Sequence, residues 1–144
     1  MELRYLKKED IPMLAKLESE IFSDGWSEKS LFEAVLNENY KILGSFKGEE
    51  LCGYIILIFT ADEAELARIA TAPQYRKQGI GAKIMEKACE LCEKSNIKEF
   101  FLEVREQNEA GQRLYKKFGF TVCGKRKGYY SNPTDNAVLM KKEM

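Results

Sequence analysis

The sequence predicts a mixed α/β fold: a mostly antiparallel sheet that contains one parallel strand pair and is flanked by helices. Three observations predict it. Apolar strands follow one another across short turns at 40–60 and again at 120–142, the signature of antiparallel hairpins. Apolar residues recur at helical spacing along 11–21, 79–95 and 108–118. Between them, the strand–helix–strand unit from Glu63 to Val104 requires a crossover joining two parallel strands. At 144 residues the chain is expected to form one domain, 1–144, with a full core.

The elements follow in order. Glu2–Lys7 alternates as a short strand with Leu3, Tyr5 and Lys7 on one side. Asp10 is placed to cap a helix with Pro12 in its first turn and Ile11, Leu14, Leu17 and Ile21 on its inner face. Ser23-Asp24-Gly25 breaks that helix, and Ser27 caps a second one carrying Leu31, Phe32, Val35 and Leu36. Tyr40–Phe46 and Glu50–Thr60 are strands joined through Lys47-Gly48-Glu49. The run Tyr54–Phe59 is apolar throughout, which predicts that both its faces are covered. Glu63–Thr71 is the next strand, ended by Pro73. A helix from Gly79 to Ser95 turns Ile80, Ile84, Ala88, Leu91 and Cys92 to one side. Lys98–Val104 is a strand with a buried-type run at Phe100-Phe101-Leu102, and Asn108–Phe118 is a short helix closed by Gly119. Phe120–Tyr130 and Asn136–Lys142 complete the sheet.

Composition narrows the function classes. No run approaches the ~20 apolar residues that cross a bilayer, and the start, Met1-Glu2-Leu3-Arg4, lacks a signal-peptide core, so a cytoplasmic protein without a membrane partner is expected. The chain has no histidine, which excludes Ser-His-Asp and Cys-His nucleophiles. Any general base is then a carboxylate, tyrosine, lysine, cysteine or ordered water. Of the four cysteines, Cys89 and Cys92 form a CxxC. It is either a metal or redox pair or two buried thiols on a helical face; the missing histidine favours thiols and no metal. A net charge of zero argues against nucleic-acid binding. Residues 1–72 carry 8 Lys/Arg against 14 Asp/Glu, a net of −6, and residues 73–144 carry 15 against 9, a net of +6. Either the basic half receives an anionic cofactor or the two halves simply attract each other.

Three features carry chemistry. The pattern Arg76-x-x-Gly79-x-Gly81 lies between a strand end and a helix start, where unpaired N–H groups and the helix dipole favour phosphate. Its spacing is neither a P-loop nor a Rossmann fingerprint, and its length suits one pyrophosphate, as in coenzyme A; the other reading is an ordinary connection. Glu103 closes an apolar strand, so it is either a general base raised toward working pH by partial burial or a member of an ion pair with Arg105 or a neighbour. Tyr115 is either a proton donor facing the same cleft or a packing ring.

Taken together, these motifs resemble the GNAT acyltransferase superfamily, and within it the bacterial ribosomal-protein-alanine N-acetyltransferases. The resemblance rests on Ile69-Ala70, Tyr75-Arg76-Lys77-Gln78-Gly79-Ile80-Gly81, Leu102-Glu103-Val104-Arg105, Asn108, Leu114-Tyr115, Gly119-Phe120, Tyr129-Tyr130 and Trp26-Ser27. It implies a GNAT-type sheet with a splayed central parallel pair, and acetyl-CoA as the donor for transfer to an amine by direct attack in a ternary complex. By position, Ile69, Ala70 and Thr71 would bind the pantetheine through their backbones. Arg76, Lys77, Gln78, Gly79, Ile80, Gly81 and Ala82 would surround the pyrophosphate, and Asn108 would contact the cofactor. Glu103 would be the base, Tyr115 the acid that protonates the leaving thiolate, and Trp26, Tyr129 and Tyr130 the border of the acceptor site.

The implied acceptor is the N-terminal alanine of a protein, a small ribosomal-subunit protein. The alternatives are a GNAT enzyme for a free amine, such as a polyamine or amino acid, and a CoA-binding module without activity. Arg68, Gly25 and Gly128 stand where the resemblance leads one to expect asparagine, proline and asparagine. All three concern the acceptor side.

Overall fold

The computed structural model describes residues 1–144. Its strands are β1 (Glu2–Tyr5), β2 (Tyr40–Lys47), β3 (Glu50–Thr60), β4 (Glu63–Thr71), β5 (Glu99–Arg105), β6 (Thr121–Tyr130) and β7 (Asp135–Glu143). Its helices are α1 (Ile11–Ile21), α2 (Glu28–Leu36), α3 (Ile80–Lys94) and α4 (Glu109–Lys117). The strands form one seven-stranded sheet in the order β1-β2-β3-β4-β5-β7-β6. Only β4 and β5 pair in parallel. This is the mixed sheet that the βαβ unit and the two hairpins require.

Alternation along the strands divides the core into two layers. Ile55 and Leu57 of β3 join Ile80, Ile84, Met85, Ala88 and Cys92 of α3 on one face. Tyr54 and Ile56 join Leu14, Leu17, Leu31 and Ala34 of α1 and α2 on the other. The central residues Tyr54 to Leu57 are fully buried, so both faces of β3 are covered there, as its unbroken apolar run predicts. Ile58 and Phe59 are only half-buried, because the cover ends before them.

The parallel ladder is short. It joins Glu63–Leu66 to Glu99–Leu102 and stops. Beyond it β4 pairs only with β3, and β5 only with β7. A register shift at Ile56/Leu57, which face Arg68 and Leu66, leaves Ala67 as the extra residue of a bulge. Bulges bend a strand and sharpen its twist, so β4 diverges from β5 and the central pair is splayed. The facing edges of Ala67–Thr71 and Glu103–Arg105 are thereby released from the ladder.

Four local expectations are corrected. The Asp10 carboxylate does not cap α1; it accepts the Lys7 N–H at 2.7 Å and clasps Arg4 at 2.9 and 3.0 Å, fastening a 3-10 turn that leads into the helix. In α2 the buried residues are Leu31 and Ala34, while Phe32 and Leu36 are 43% and 63% exposed. Tyr5 is exposed and Leu6 is buried in place of the expected alternation. Phe101 is not enclosed with Phe100 and Leu102: those two face α3, and Phe101 faces the opposite, half-open side. Ser27 does cap α2, accepting the Ser30 N–H at 3.1 Å. The cysteines are free thiols: Cys52 and Cys92 are buried, Cys89 is half-buried and Cys123 is exposed. Burial pushes the Cys92 thiol up to about 12, so it behaves as a packing group rather than a nucleophile.

Candidate active site

Two cavities meet at the splay. The first, of about 540 Å³, is lined by Ile69, Ala70 and Thr71 of β4, Arg76, Lys77 and Gly81 of the following loop, and Leu114 of α4. The second, of about 570 Å³, is lined by Glu65 and Arg68 of β4, Glu103 of β5, Trp26, Tyr129 and Tyr130. Phe22, Ile69, Asn108 and Tyr115 border both. Both volumes suit a small ligand.

The loop below the first cavity has backbone geometry suited to an anion. Lys77 and Gly79 have φ of 63° and 79°, so successive N–H groups converge in a concave turn. Gly79 is the N-cap residue of the 15-residue helix α3, whose first N–H groups are unpaired. Arg76 folds back to donate to the Thr71 carbonyl at 3.2 Å. Gln78, Gly79, Ile80 and Ala82 do not line the cavity. The Gln78 amide donates to the Gln74 carbonyl at 3.4 Å, and Ile80 is part of the core, so these four shape the turn through their backbone. Asn108 caps α4, its side-chain oxygen accepting the Gly111 N–H at 2.9 Å, while its amide nitrogen remains available to donate.

A side chain at Gly79 would meet nothing within 4 Å, so its glycine is explained by φ alone. Gly79→Ala is expected to cost about 1–2 kcal/mol through the left-handed backbone, as thermal unfolding would read, and to weaken any anion held by the turn because the turn relaxes, as calorimetric titration with pyrophosphate would read.

In the second cavity the structure assembles all five residues proposed from sequence: Trp26, Glu103, Tyr115, Tyr129 and Tyr130. Glu103 lies opposite Leu139 of β7 with 28% of its side chain exposed. Its cationic neighbour is Arg126, at 3.9 Å. Arg105 is directed elsewhere, donating to the Pro133 and Ser131 carbonyls at 2.7 and 3.1 Å and covering the Tyr130 ring. Of the partners considered for an ion pair, Arg105 or a neighbour, it is the neighbour Arg126 that pairs with Glu103, while Arg105 holds the 131–133 turn. Tyr129 and Tyr130 pack edge to face at 5.0 Å. The Glu103 carboxylate raises the Tyr129 hydroxyl, and burial, with Glu103 second, pushes Tyr130 up to about 12. Tyr115 is 6% exposed, and burial pushes its hydroxyl up to about 12.

One constellation went unread in the sequence. Glu18 of α1 is fully buried and accepts from Tyr54, from the Trp26 N–H at 3.0 Å and from Arg68 at 2.9 and 2.7 Å. Its signal was its position: Glu18 stands seven residues after Ile11 and four after Leu14, on the buried stripe of the helix. The network accounts for two of the unexpected residues. Arg68 is the cation that pairs Glu18, and a Cβ at Gly25 would press on the Glu18 Cγ at 3.0 Å. Gly128 has φ of 62°, a region that asparagine also tolerates, so glycine there preserves the backbone.

The Acetyltransferase (GNAT) family profile matches residues 11–120. A Bacillus subtilis (strain 168) protein, provisionally named a ribosomal protein bS18-alanine N-acetyltransferase, is 34% identical over 139 residues, covering 96% of this chain and 92% of that protein. A spermidine N(1)-acetyltransferase of Thermoplasma acidophilum is 32% identical over 143 residues, covering 85% and 89%. Among solved structures, the ribosomal-protein-S18-alanine N-acetyltransferase of Escherichia coli superposes with a TM-score of 0.92 at 28% identity, covering 99% of this chain and 92% of that one. The PaiA N-acetyltransferase of Thermoplasma acidophilum, solved with coenzyme A, gives 0.81 at 27%, covering 99% and 98%. With this sheet, this splay and these relatives, the chain belongs to the GNAT family and is an acetyl-CoA-dependent N-acetyltransferase.

Proposed function

We propose that the protein transfers acetyl from acetyl-CoA to the N-terminal alanine of a protein acceptor, a small ribosomal-subunit protein, in the cytoplasm. The observation that carries this reading is the junction of the two cavities, with Tyr115 on both and Glu103 on the second only. Glu103 and Glu65 also border a third, open groove floored by Ile58, Phe101 and Leu139. That groove gives the chain behind a reacting N-terminus somewhere to run, which a free small amine does not need. The likeness to ribosomal-protein-alanine acetyltransferases supports the same acceptor.

The first cavity fits acetyl-CoA. The converging N–H groups at Lys77–Gly79 and the start of α3 suit the pyrophosphate, with Arg76, Lys77, Gly81 and the backbone of Gln78, Ile80 and Ala82 around it. The released edge of Ile69–Thr71 suits the amides of the pantetheine arm, and Asn108 contributes its free amide N–H. When bound, acetyl-CoA supplies an acetyl group activated as a thioester.

The chain's own residues move the protons. An α-amine has a pKa of about 8 and attacks only when neutral. Its nitrogen becomes acidic as the new bond to carbon forms, so the Glu103 carboxylate can take the proton directly or through one water. Trp26, Tyr129 and Tyr130 border the amine and exclude solvent from it. Tyr115 stays protonated before the reaction, its hydroxyl pushed up to about 12 by burial, and its Oη is the acid that protonates the departing thiolate of coenzyme A. Tyr115→Phe, which keeps the ring packed on Phe120, is expected to lower kcat about 10- to 100-fold with acetyl-CoA affinity unchanged, as read by steady-state kinetics.

The polyamine reading is supported by the spermidine acetyltransferase relative. Measuring kcat/KM for an alanyl peptide and for spermidine side by side separates the two. Preference for the peptide is expected; preference for spermidine overturns the proposal. Acetyl-CoA binding without turnover of any amine would instead leave a CoA-binding module.

A further inference from the structure

The Glu18–Arg68 pair stands where it can read the acceptor. Arg68 commits Nε and Nη2 to one oxygen, Glu18 Oε2, at 2.9 and 2.7 Å. Phe22 holds its ring 3.8 Å from the guanidinium carbon. Glu18 is in turn held by Tyr54 and by the Trp26 N–H, so the guanidinium cannot swing away without leaving a fully buried carboxylate short of donors. Nη1 makes no bond within the protein, and no buried side-chain nitrogen is left without a partner. Nη1 is therefore accessible. Arg68 lines the second cavity and not the first.

The result is a permanent cation, fixed in direction, on the wall of the cavity that holds Glu103. Arg68 cannot be neutralised by deprotonation at any working pH. Its charge is balanced by Glu18, and Asp24, Glu65 and Glu103 line the same cavity, so what it offers an acceptor is a fixed donor that rewards an oxygen able to accept a charge-assisted hydrogen bond. In a peptide N-terminus that oxygen is one carbon away from the α-carbon, as the first peptide carbonyl. In a polyamine there is none.

Resting on the reading of the second cavity as the acceptor side, we propose that Arg68 is a specificity determinant whose Nη1 donates to the carbonyl oxygen beside the reacting amine. It selects α-amino carbonyl acceptors over polyamines. Glu18 and Phe22 are the positioning residues that aim it.

Arg68→Lys is the discriminating variant, because one ammonium can stay paired with Glu18 while the extra donor is lost. Two acceptors are compared: L-alanine N-methylamide, extended to an alanyl peptide, and 2-aminopentane, its carbon isostere without a carbonyl. Acetyl-CoA affinity and Tm are measured in parallel. Because each acceptor is compared with itself in wild type and variant, the difference in their amine pKa values cancels. The expected result is a fall of about 10- to 100-fold in kcat/KM for the alanyl acceptors, the size of a lost hydrogen bond to a charged group. Turnover of 2-aminopentane and acetyl-CoA affinity are expected to stay at wild-type values, while Tm falls by a few degrees as the second bond to Glu18 and the stacking on Phe22 are lost. An equal effect on both acceptors, or none on either, overturns the proposal. The double variant Glu18→Gln/Arg68→Met, which removes the buried pair as a unit and leaves the net charge unchanged, is expected to lower peptide turnover relative to spermidine because the Nη1 donor is gone; an unchanged ratio contradicts the proposal. If the wild-type enzyme acetylates spermidine and no alanyl acceptor, the protein-acceptor reading fails with it. If the wild type prefers the peptide but Arg68→Lys is indifferent, this inference alone fails.

Discussion

Glu103→Gln is expected to lower kcat/KM for an alanyl peptide by about 10²–10⁴, the range of a lost general base, with acetyl-CoA affinity unchanged. The variant keeps the shape of the side chain and one acceptor oxygen, and removes its charge and its ability to take a proton. Glu103 lines the second cavity and the open groove but not the first cavity, so the donor should not sense the change. The measurement is a steady-state comparison with purified peptide, together with a titration of acetyl-CoA. Wild-type turnover by the variant would take the proton-accepting role away from Glu103 and leave it to water or to one of the tyrosines.

Glu18→Ala is expected to produce the largest loss of stability from one substitution near the site. Removing the carboxylate leaves the Tyr54 hydroxyl, fully buried, without its acceptor, and leaves the Arg68 guanidinium, 19% exposed, without its counter-charge. Breaking one side of a buried pair costs about 3–5 kcal/mol, which in a domain of this size lowers Tm by on the order of 10 °C. The Trp26 N–H is released as well, so the loop that carries Trp26 loses its anchor. Glu18→Gln, which can still accept from Tyr54, is expected to cost less. Thermal unfolding of the two variants checks the order. A Tm for Glu18→Ala equal to that of wild type would mean that water replaces the carboxylate, and that the network does not hold the loop.

Much of the fold was legible because its signals are local and periodic. The unbroken run Tyr54–Phe59 marked an interior strand, Pro73 and Gly119 marked where elements end, and Gly79 marked where α3 begins. The strand–loop–helix order at Glu63–Lys94 pointed to a turn suited to an anion at the carboxyl end of a parallel strand, and the first cavity opens beside that turn. What was not legible depends on the third dimension. Asp10 has the character of a helix cap, yet Arg4 comes close enough to recruit it to the preceding turn. Phe101 is as apolar as Phe100, but α1 and α2 do not extend over that side of the sheet, so it stays half-open. Glu18 was overlooked for a different reason. A charge on an apolar stripe makes sense only when its partners are known, and those lie 36 and 50 residues away at Tyr54 and Arg68. The bulge at Ala67, which opens the two strands, has no side-chain signature at all.

The central claim is that the second cavity presents a peptide α-amine to the thioester. It is tested most directly by mixing the enzyme with acetyl-CoA and a peptide that begins with alanine and carries a lysine further along, then locating the acetyl group by tandem mass spectrometry. The account predicts acetyl on the alanine nitrogen and none on the lysine. Acetyl found only on the lysine side chain would contradict it.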